Sequence, residues 1–216
     1  MIEIEFMKVL VATKILAMQL LILNLTAYSQ DLYQDHYANK ILKSEGTMKS
    51  GAKEGEWKYY YPSGKLMATE HYAAGILHGN SKNYYPDQKL QSHEHWESGQ
   101  LQDSAFYYHA NGILERKGIY QNSMYAGLWR YFFETGNLER QLSYANGVPE
   151  GKSLSFSDDG TLLQEGSYKE GKEDGDWKFY DAKGRLEYSG SYKAGEKAGT
   201  WYVYDKKGKR KEWKGE

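Results

Sequence analysis

The chain has no cysteine and only three prolines among its 216 residues. Without cysteine there is no disulfide framework, no thiolate nucleophile and no sulfur ligand for zinc. There is also no residue to carry the lipid of a lipoprotein anchor. Branched aliphatics are scarce as well. After residue 30 the only isoleucines and valines are Ile41, Ile76, Ile113, Ile119, Val148 and Val203. A conventional core leans on these residues far more heavily. Nor is there an excess of charge: 28 basic and 29 acidic residues leave a formal net charge of −1. That balance argues against a nucleic-acid binder, which carries a basic stripe. What is abundant is tyrosine (21), glycine (23), tryptophan (6) and phenylalanine (6).

The first thirty residues differ from the rest. Lys8 and Lys14 lie in an apolar start, and Ile15 to Leu25 is apolar apart from Gln19 and Asn24. Ala27 and Ser29 then supply a small-x-small site. A basic start, a short apolar stretch and such a site make a secretory signal peptide, with cleavage expected after Ser29. A transmembrane helix needs roughly 20 predominantly apolar residues; this stretch is shorter and is broken by Lys14. Glu3 and Glu5 are foreign to a basic start, so Met7 is the expected natural beginning.

The remainder is periodic. Glycines fall at Gly55, Gly79, Gly127, Gly151, Gly175 and Gly199, separated by 24 residues or a multiple of it. Three further sets keep the same clock, beginning at Gly64, at Gly51 and, more weakly, at Gly46. Together the four sets hold all of the 23 glycines but Gly215. Leu42, Leu66, Leu90, Leu114, Leu138, Leu162 and Leu186 form one apolar phase. Tyr60, Tyr84, Tyr108, Phe132, Phe156, Tyr180 and Tyr204 form an aromatic one. Trp57, Trp129, Trp177 and Trp201 form another, headed by Tyr33. Tyr72, Trp96, Tyr120, Tyr144, Tyr168 and Tyr192 form the last. Self-similarity of this kind signals a repeat architecture whose terminal units are atypical.

Each unit reads as two strands. Trp57 to Tyr61 is an aromatic run that favours strand. Pro62-Ser63-Gly64 is a turn, with proline presetting φ and glycine supplying a positive one. Leu66 to Tyr72 is the second strand. A longer polar connection to the next unit, such as Lys169 to Gly175, is expected between the glycines of two sets. Hairpins joined in sequence give an antiparallel meander. The fold class is therefore all-β: an elongated single-layer antiparallel meander of β-hairpin repeats with a 24-residue period. Strands about 4.8 Å apart give roughly 10 Å per unit. Trp57 and Tyr60 are three apart, so either both faces of the sheet carry aromatics or a bulge intervenes.

The unit Gly-x-Trp-x-x-Tyr-Tyr-x-x-x-Gly-x-Leu followed by Tyr-x-x-Gly-x-x-x-Gly resembles the MORN repeat in its bacterial variant form. Gly55 to Gly79, Gly127 to Gly151 and Gly175 to Gly199 carry the likeness best. The chain then divides into a signal peptide (1–29) and a degenerate N-terminal capping repeat (30–54). Six 24-residue repeats (55–198) and a partial C-terminal repeat with a basic tail (199–216) follow. Proteins of this variant family are often labelled antitoxins of YwqK-type toxin–antitoxin systems, and eukaryotic relatives are implicated in membrane association and scaffolding. An export signal sits badly with neutralising a cytoplasmic toxin.

Residues with chemical capacity are few. His93 and His95 share a strand face, but His71 lies about 10 Å away, too far for a common ion; no metal site is expected. Glu70 and Glu94 share a phase in adjacent units, as a pair of catalytic carboxylates would, yet the sheet offers them no cleft. Gly171 to Gly175 is glycine-bounded but acidic and precedes no helix, so it is not a phosphate loop. No catalytic residue and no cofactor are assigned. The aromatic ladder is the expected interaction surface: Trp57, Tyr60, Tyr84, Tyr108, Trp129, Phe132, Trp177, Tyr180, Trp201 and Tyr204. Tyrosine and tryptophan give broad contact area with a polar edge. The basic tail Lys206 to Lys211 is expected to keep the strand Trp201 to Asp205 from pairing with other chains.

The expected function is a non-catalytic, exported scaffold, periplasmic or secreted, that binds a protein at the bacterial cell envelope. The alternatives are a module that binds glycan or cell wall, and an antitoxin-like inhibitor of a toxin protein. No nucleic acid and no stable membrane anchor after signal cleavage are expected.

Overall fold

The computed structural model describes residues 31–214; the signal peptide assigned to residues 1–29 lies outside them. The described residues form no helix. In chain order the strands are β1 (Asp31–His36), β2 (Leu42–Lys49), β3 (Ala52–Tyr60), β4 (Leu66–Ala73), β5 (Ile76–Leu77) and β6 (Gly79–Tyr84). Next come β7 (Leu90–Glu97), β8 (Gln100–Tyr108), β9 (Leu114–Gln121), β10 (Met124–Phe132), β11 (Leu138–Ala145) and β12 (Val148–Phe156). The last are β13 (Leu162–Lys169), β14 (Lys172–Glu173), β15 (Gly175–Tyr180), β16 (Leu186–Lys193), β17 (Glu196–Tyr204) and β18 (Arg210–Glu212). All 18 belong to one sheet. Every strand pairs antiparallel with its neighbour in sequence. β5 with β6, and β14 with β15, are halves of one strand interrupted at His78 and Asp174. The result is the all-β single-layer meander that the periodicity implies.

Two kinds of turn alternate. Inside a unit, Gly64 N–H donates to the Tyr61 carbonyl and Tyr61 N–H to the Lys65 carbonyl, both at 2.8 Å. Gly64 sits at φ 82, the left-handed region that glycine enters freely. Lys40 (φ 66) and Gln88 (φ 76) hold the same conformation without glycine. Between units the expected long polar connection is absent. Instead there is a two-residue turn such as Asn146-Gly147, with φ 50 and 83. Positive φ at both central residues matches the strand twist, which is why such turns close hairpins. The polar residues beyond the turn are already strand.

The other glycine set marks a bulge. Thr47 pairs with Glu54 and Glu45 with Lys58, so residues 55–57 stand against the single residue Gly46. Gly55 absorbs the bend at φ 68, and Asp103 does so at φ 61 in its own unit. A second irregularity lies between Tyr59 and Tyr60, where Ala68 and Leu66 are the partners. It leaves Met67 without a counterpart. Both possibilities for Trp57 and Tyr60 therefore hold: there are bulges, and aromatics occupy both faces.

The carboxyl end departs from this scheme. Tyr204 pairs with Arg210 and Val203 with Lys211 with no extra residue between them. The strand Trp201 to Asp205 is therefore not the edge. The basic tail supplies β18, which covers it. Without the bulge, Trp213 falls opposite Trp201, and its N–H donates to the Trp201 carbonyl at 2.8 Å.

Candidate functional site

Alternation splits the aromatic residues between two faces. One is the ring face. Trp57, Trp129, Trp177 and Trp201 lie there, only 1, 0, 2 and 6% exposed. The structure thus moves these four out of the exposed row expected of them and into the core. Each Trp ring lies against aromatic neighbours: Tyr120 and Tyr125 approach Trp129 at 5.1 and 4.2 Å between centroids. Tyr168 and Tyr192 meet Trp177 edge-on at 5.3 and 5.9 Å. Each indole N–H donates to a carbonyl of the preceding strand, as Trp129 Nε1 does to Ile119 O at 3.1 Å. Buried indoles need such a partner.

The weaker glycine set explains how the rings fit. A Cβ on Gly46, Gly118, Gly166 or Gly190 would come within 2.1–2.4 Å of the ring of Trp57, Trp129, Trp177 or Trp201. None of these glycines has a positive φ; their role is to leave room. Where the repeat lacks Trp, it also lacks that glycine. Ser81 follows Glu70, Ala105 follows Glu94 and Ser153 follows Leu142, always eleven residues on. The small residue is buried in each case, and Leu142 is itself only 5% exposed. Large and small change places across one layer, which keeps its volume filled.

Glu70 and Glu94, weighed above as catalytic carboxylates, join tyrosine hydroxyls on this face. Tyr72 donates to Glu70 at 2.5 Å and Tyr107 to Glu94 at 2.7 Å. Tyr59 and Tyr72 hydroxyls lie 3.1 Å apart. Lys53 Nζ donates to Tyr59 at 2.6 Å and sits 4.6 Å from the Trp57 ring centroid. Burial, and then hydrogen bonding, pushes the Tyr72 hydroxyl up to about 12; Tyr59, Tyr107 and Tyr131 also rise, chiefly through burial. These groups are neutral donors, not poised acids or bases.

The opposite face carries Tyr60, Tyr84, Tyr108, Phe132, Tyr180 and Tyr204, all half-buried. Tyr60 donates to Glu45 at 2.6 Å and Tyr180 to Glu165 at 2.7 Å. Burial and then the carboxylate raise both hydroxyls to about 12. The tyrosine hydrogen bonds are the first cause holding Glu45 and Glu165 below the usual carboxylate range. His71, His93 and His95 share this polar face. Among the described residues no group of three or more His, Cys, Asp and Glu side chains is placed to hold a metal ion. An open cleft of about 320 Å³ at the carboxyl end is lined by Phe179, Tyr188, Tyr192, Lys197, Trp201 and Trp213. Here Lys197 Nζ lies 4.7 and 3.7 Å from the two indole centroids.

No curated protein matches the chain. Among solved structures, crystal structures of TcdB2-TccC3 and of TcdB2-TccC3-Cdc42 are similar at 13% identity, each with a TM-score of 0.19. Both alignments cover 82% of this chain but only 14% and 13% of those chains, so this chain spans about a seventh of their length. An overlap of that quality bears on nothing here. The family comparison is decisive: the model for the MORN repeat variant matches residues 53–74, 104–122, 126–146, 149–170 and 173–194. These segments recur with the hairpin units of the sheet. The chain belongs to the MORN repeat variant family.

Proposed function

We propose that this protein is an exported, non-catalytic scaffold that binds a protein partner at the bacterial cell envelope. MORN repeats are in general interaction or binding modules. The observation that carries the reading is the polar face, where Tyr60, Tyr84, Tyr108, Phe132, Tyr180 and Tyr204 recur half-buried at unit spacing. Rings with polar edges held on a fixed sheet give contact area at low ordering cost. The hydroxyl pairs on the ring face are held neutral, which fits structure rather than turnover. Export rests on the apolar segment and the small-x-small site of residues 1–29.

A cross-linked pull-down from intact cells with tagged full-length chain, run beside cell fractionation, tests this. The expected result is a cleaved, extracytoplasmic protein bound to a defined envelope protein. Recovery of cell-wall glycan alone would replace the protein partner with a polysaccharide. An uncleaved cytoplasmic protein bound to a toxin would overturn export and restore the antitoxin reading.

A further inference from the structure

One row of side chains crosses most of the polar face, each residue directly opposite the next. It runs Glu45, Lys58, Thr69, Lys82, His93, Phe106, and then on through Lys117, Arg130, Gln141 and Leu154 to Glu165 and Lys178. Its two flanks are internally balanced. Lys58 lies 3.5 Å from Glu56, and Lys178 lies 3.0 Å from Glu165. The centre is not balanced. Lys82, Lys117 and Arg130 have no ion pair among the described residues. His93 titrates below its ordinary value, first through burial and then through repulsion by Lys82 and His95. The row itself holds no acid between Lys58 and Glu165, and the nearest one on β9, Glu115, lies 3.9 Å from Arg116.

The same stretch presents apolar groups. Ile119 (45% exposed) is two residues from Lys117 on β9, and Leu128 (37% exposed) is two residues from Arg130 on β10. Two-residue spacing on one strand keeps each pair on one face. Phe106 stacks on His93 with centroids 6.2 Å apart. From Lys82 to Arg130 the row spans four strand spacings, about 19 Å, the reach of roughly six extended residues.

We infer that the row Lys82–His93–Phe106–Lys117–Arg130 docks an extended acidic polypeptide segment that also carries apolar side chains. The inference rests on the scaffold reading and names the chemistry of its partner. Charge complementarity supplies the acids that the centre lacks. The exposed Ile119 and Leu128 beside the cations favour a peptide over a polyhydroxylated acidic glycan, which has no apolar side chains to bury. Three cations in one short row do not make a nucleic-acid track.

The test is fluorescence anisotropy of a labelled peptide alternating glutamate and leucine, titrated with the full chain. Its comparators are a peptide alternating glutamine and leucine, and polygalacturonate. The acidic peptide is expected to bind, more weakly as salt rises. The double variant Lys117→Glu/Arg130→Glu is expected to weaken binding about tenfold or more. The control Lys207→Glu/Lys209→Glu, in the basic tail, should leave it unchanged. Circular dichroism melts of both variants would show that each is folded. No binding of the acidic peptide, loss confined to the tail variant, or equal binding of polygalacturonate or of the glutamine peptide would overturn the inference. The two proposals fail separately: an envelope partner that binds the Lys117→Glu/Arg130→Glu variant as well as the parent chain leaves the scaffold standing and removes the row from its interface.

Discussion

At the scale of single residues the governing relation is between each Trp and the glycine eleven positions earlier. Gly166→Leu should destabilise the protein by about 1–3 kcal/mol, because the new side chain enters space held by Trp177. Trp177→Ser should be worse, by about 3–5 kcal/mol, through the cavity it leaves. The double variant reproduces the Leu142 and Ser153 arrangement already present one unit earlier. It should be more stable than the sum of the two changes, a positive coupling read by urea denaturation of all four proteins. Simple additivity would mean that the two positions do not share one volume.

The tyrosine hydroxyls give a second residue-scale expectation. Tyr60, Tyr72 and Tyr180 are raised from 10.0 to about 12, first by burial. Below about pH 10 these hydroxyls are neutral in both folded and unfolded chains, and their contribution is fully present. Above it the unfolded chain ionises while the folded one resists, so stability falls as pH rises through about 12. The thermal midpoint should drop over that window, and the absorbance lost in a Tyr60→Phe/Tyr180→Phe variant should correspond to hydroxyls that ionise only well above pH 10. A difference absorbance between the parent and the Tyr60→Phe/Tyr180→Phe variant that rises near pH 10 with the sheet intact would contradict this burial.

At the scale of elements, the turn between units sets the registration of the array. Gly147 N–H also donates to the Tyr125 carbonyl at 3.0 Å, and Gly75, Gly99, Gly171 and Gly195 make the equivalent bond one unit back. Each turn is thus hooked to the one before it. Gly147→Val places a β-branched residue at φ 83 and should cost about 1–2 kcal/mol or more, measured as a lower urea midpoint. An unchanged midpoint would mean that this turn tolerates a side chain it is shaped to exclude. The opposite margin is tied differently. Tyr37, Tyr61 and Tyr85 each donate at 2.7 Å to a carbonyl of the next unit, and His109 lies 2.8 Å from its counterpart. Farther on, Asp181 instead accepts from the backbone of its own turn.

Much of this was legible in the chain itself. The 24-residue clock fixes the hairpins, and Gly64 announces the turn that it makes. The faces were less legible. A period of 24 tells which residues are equivalent but not which way they point, and bulges at 55–57 and beside Tyr60 shift the parity twice per unit. Trp57 and Tyr60, three apart with no extra residue between them on β3, fall on opposite faces by alternation, so what looked like one ladder is two. The glycine at position 46 looked merely degenerate; its absences at Glu70, Glu94 and Leu142 acquire meaning only once Ser81, Ala105 and Ser153 are seen beneath them.

At the scale of the whole molecule, units should be removable, but only in the right frame. Deleting residues 130–153 keeps Gly118 eleven residues before Trp129 and removes Leu142 with Ser153. Deleting residues 120–143, the same length, sets Gly118 before Ser153 and leaves a hole where a ring belongs. The first protein should be more stable than the second by about 3–5 kcal/mol, from urea unfolding of the pair. Equal stability would show that neighbouring units relax to hide the mismatch.

The final hairpin adds a different kind of information. Because β18 joins β17 without the extra residue, Trp213 turns inward and lies 3.7 Å from Lys197 through its ring. β18 keeps the faces of the sheet, with Trp213 opposite Trp201 where Gly190 stands opposite Trp177, but it reaches that register one residue ahead of the 24-residue clock. A copy of the repeat appended in the 24-residue phase would therefore present its aromatic residues one position out of step with the rings already stacked on that face.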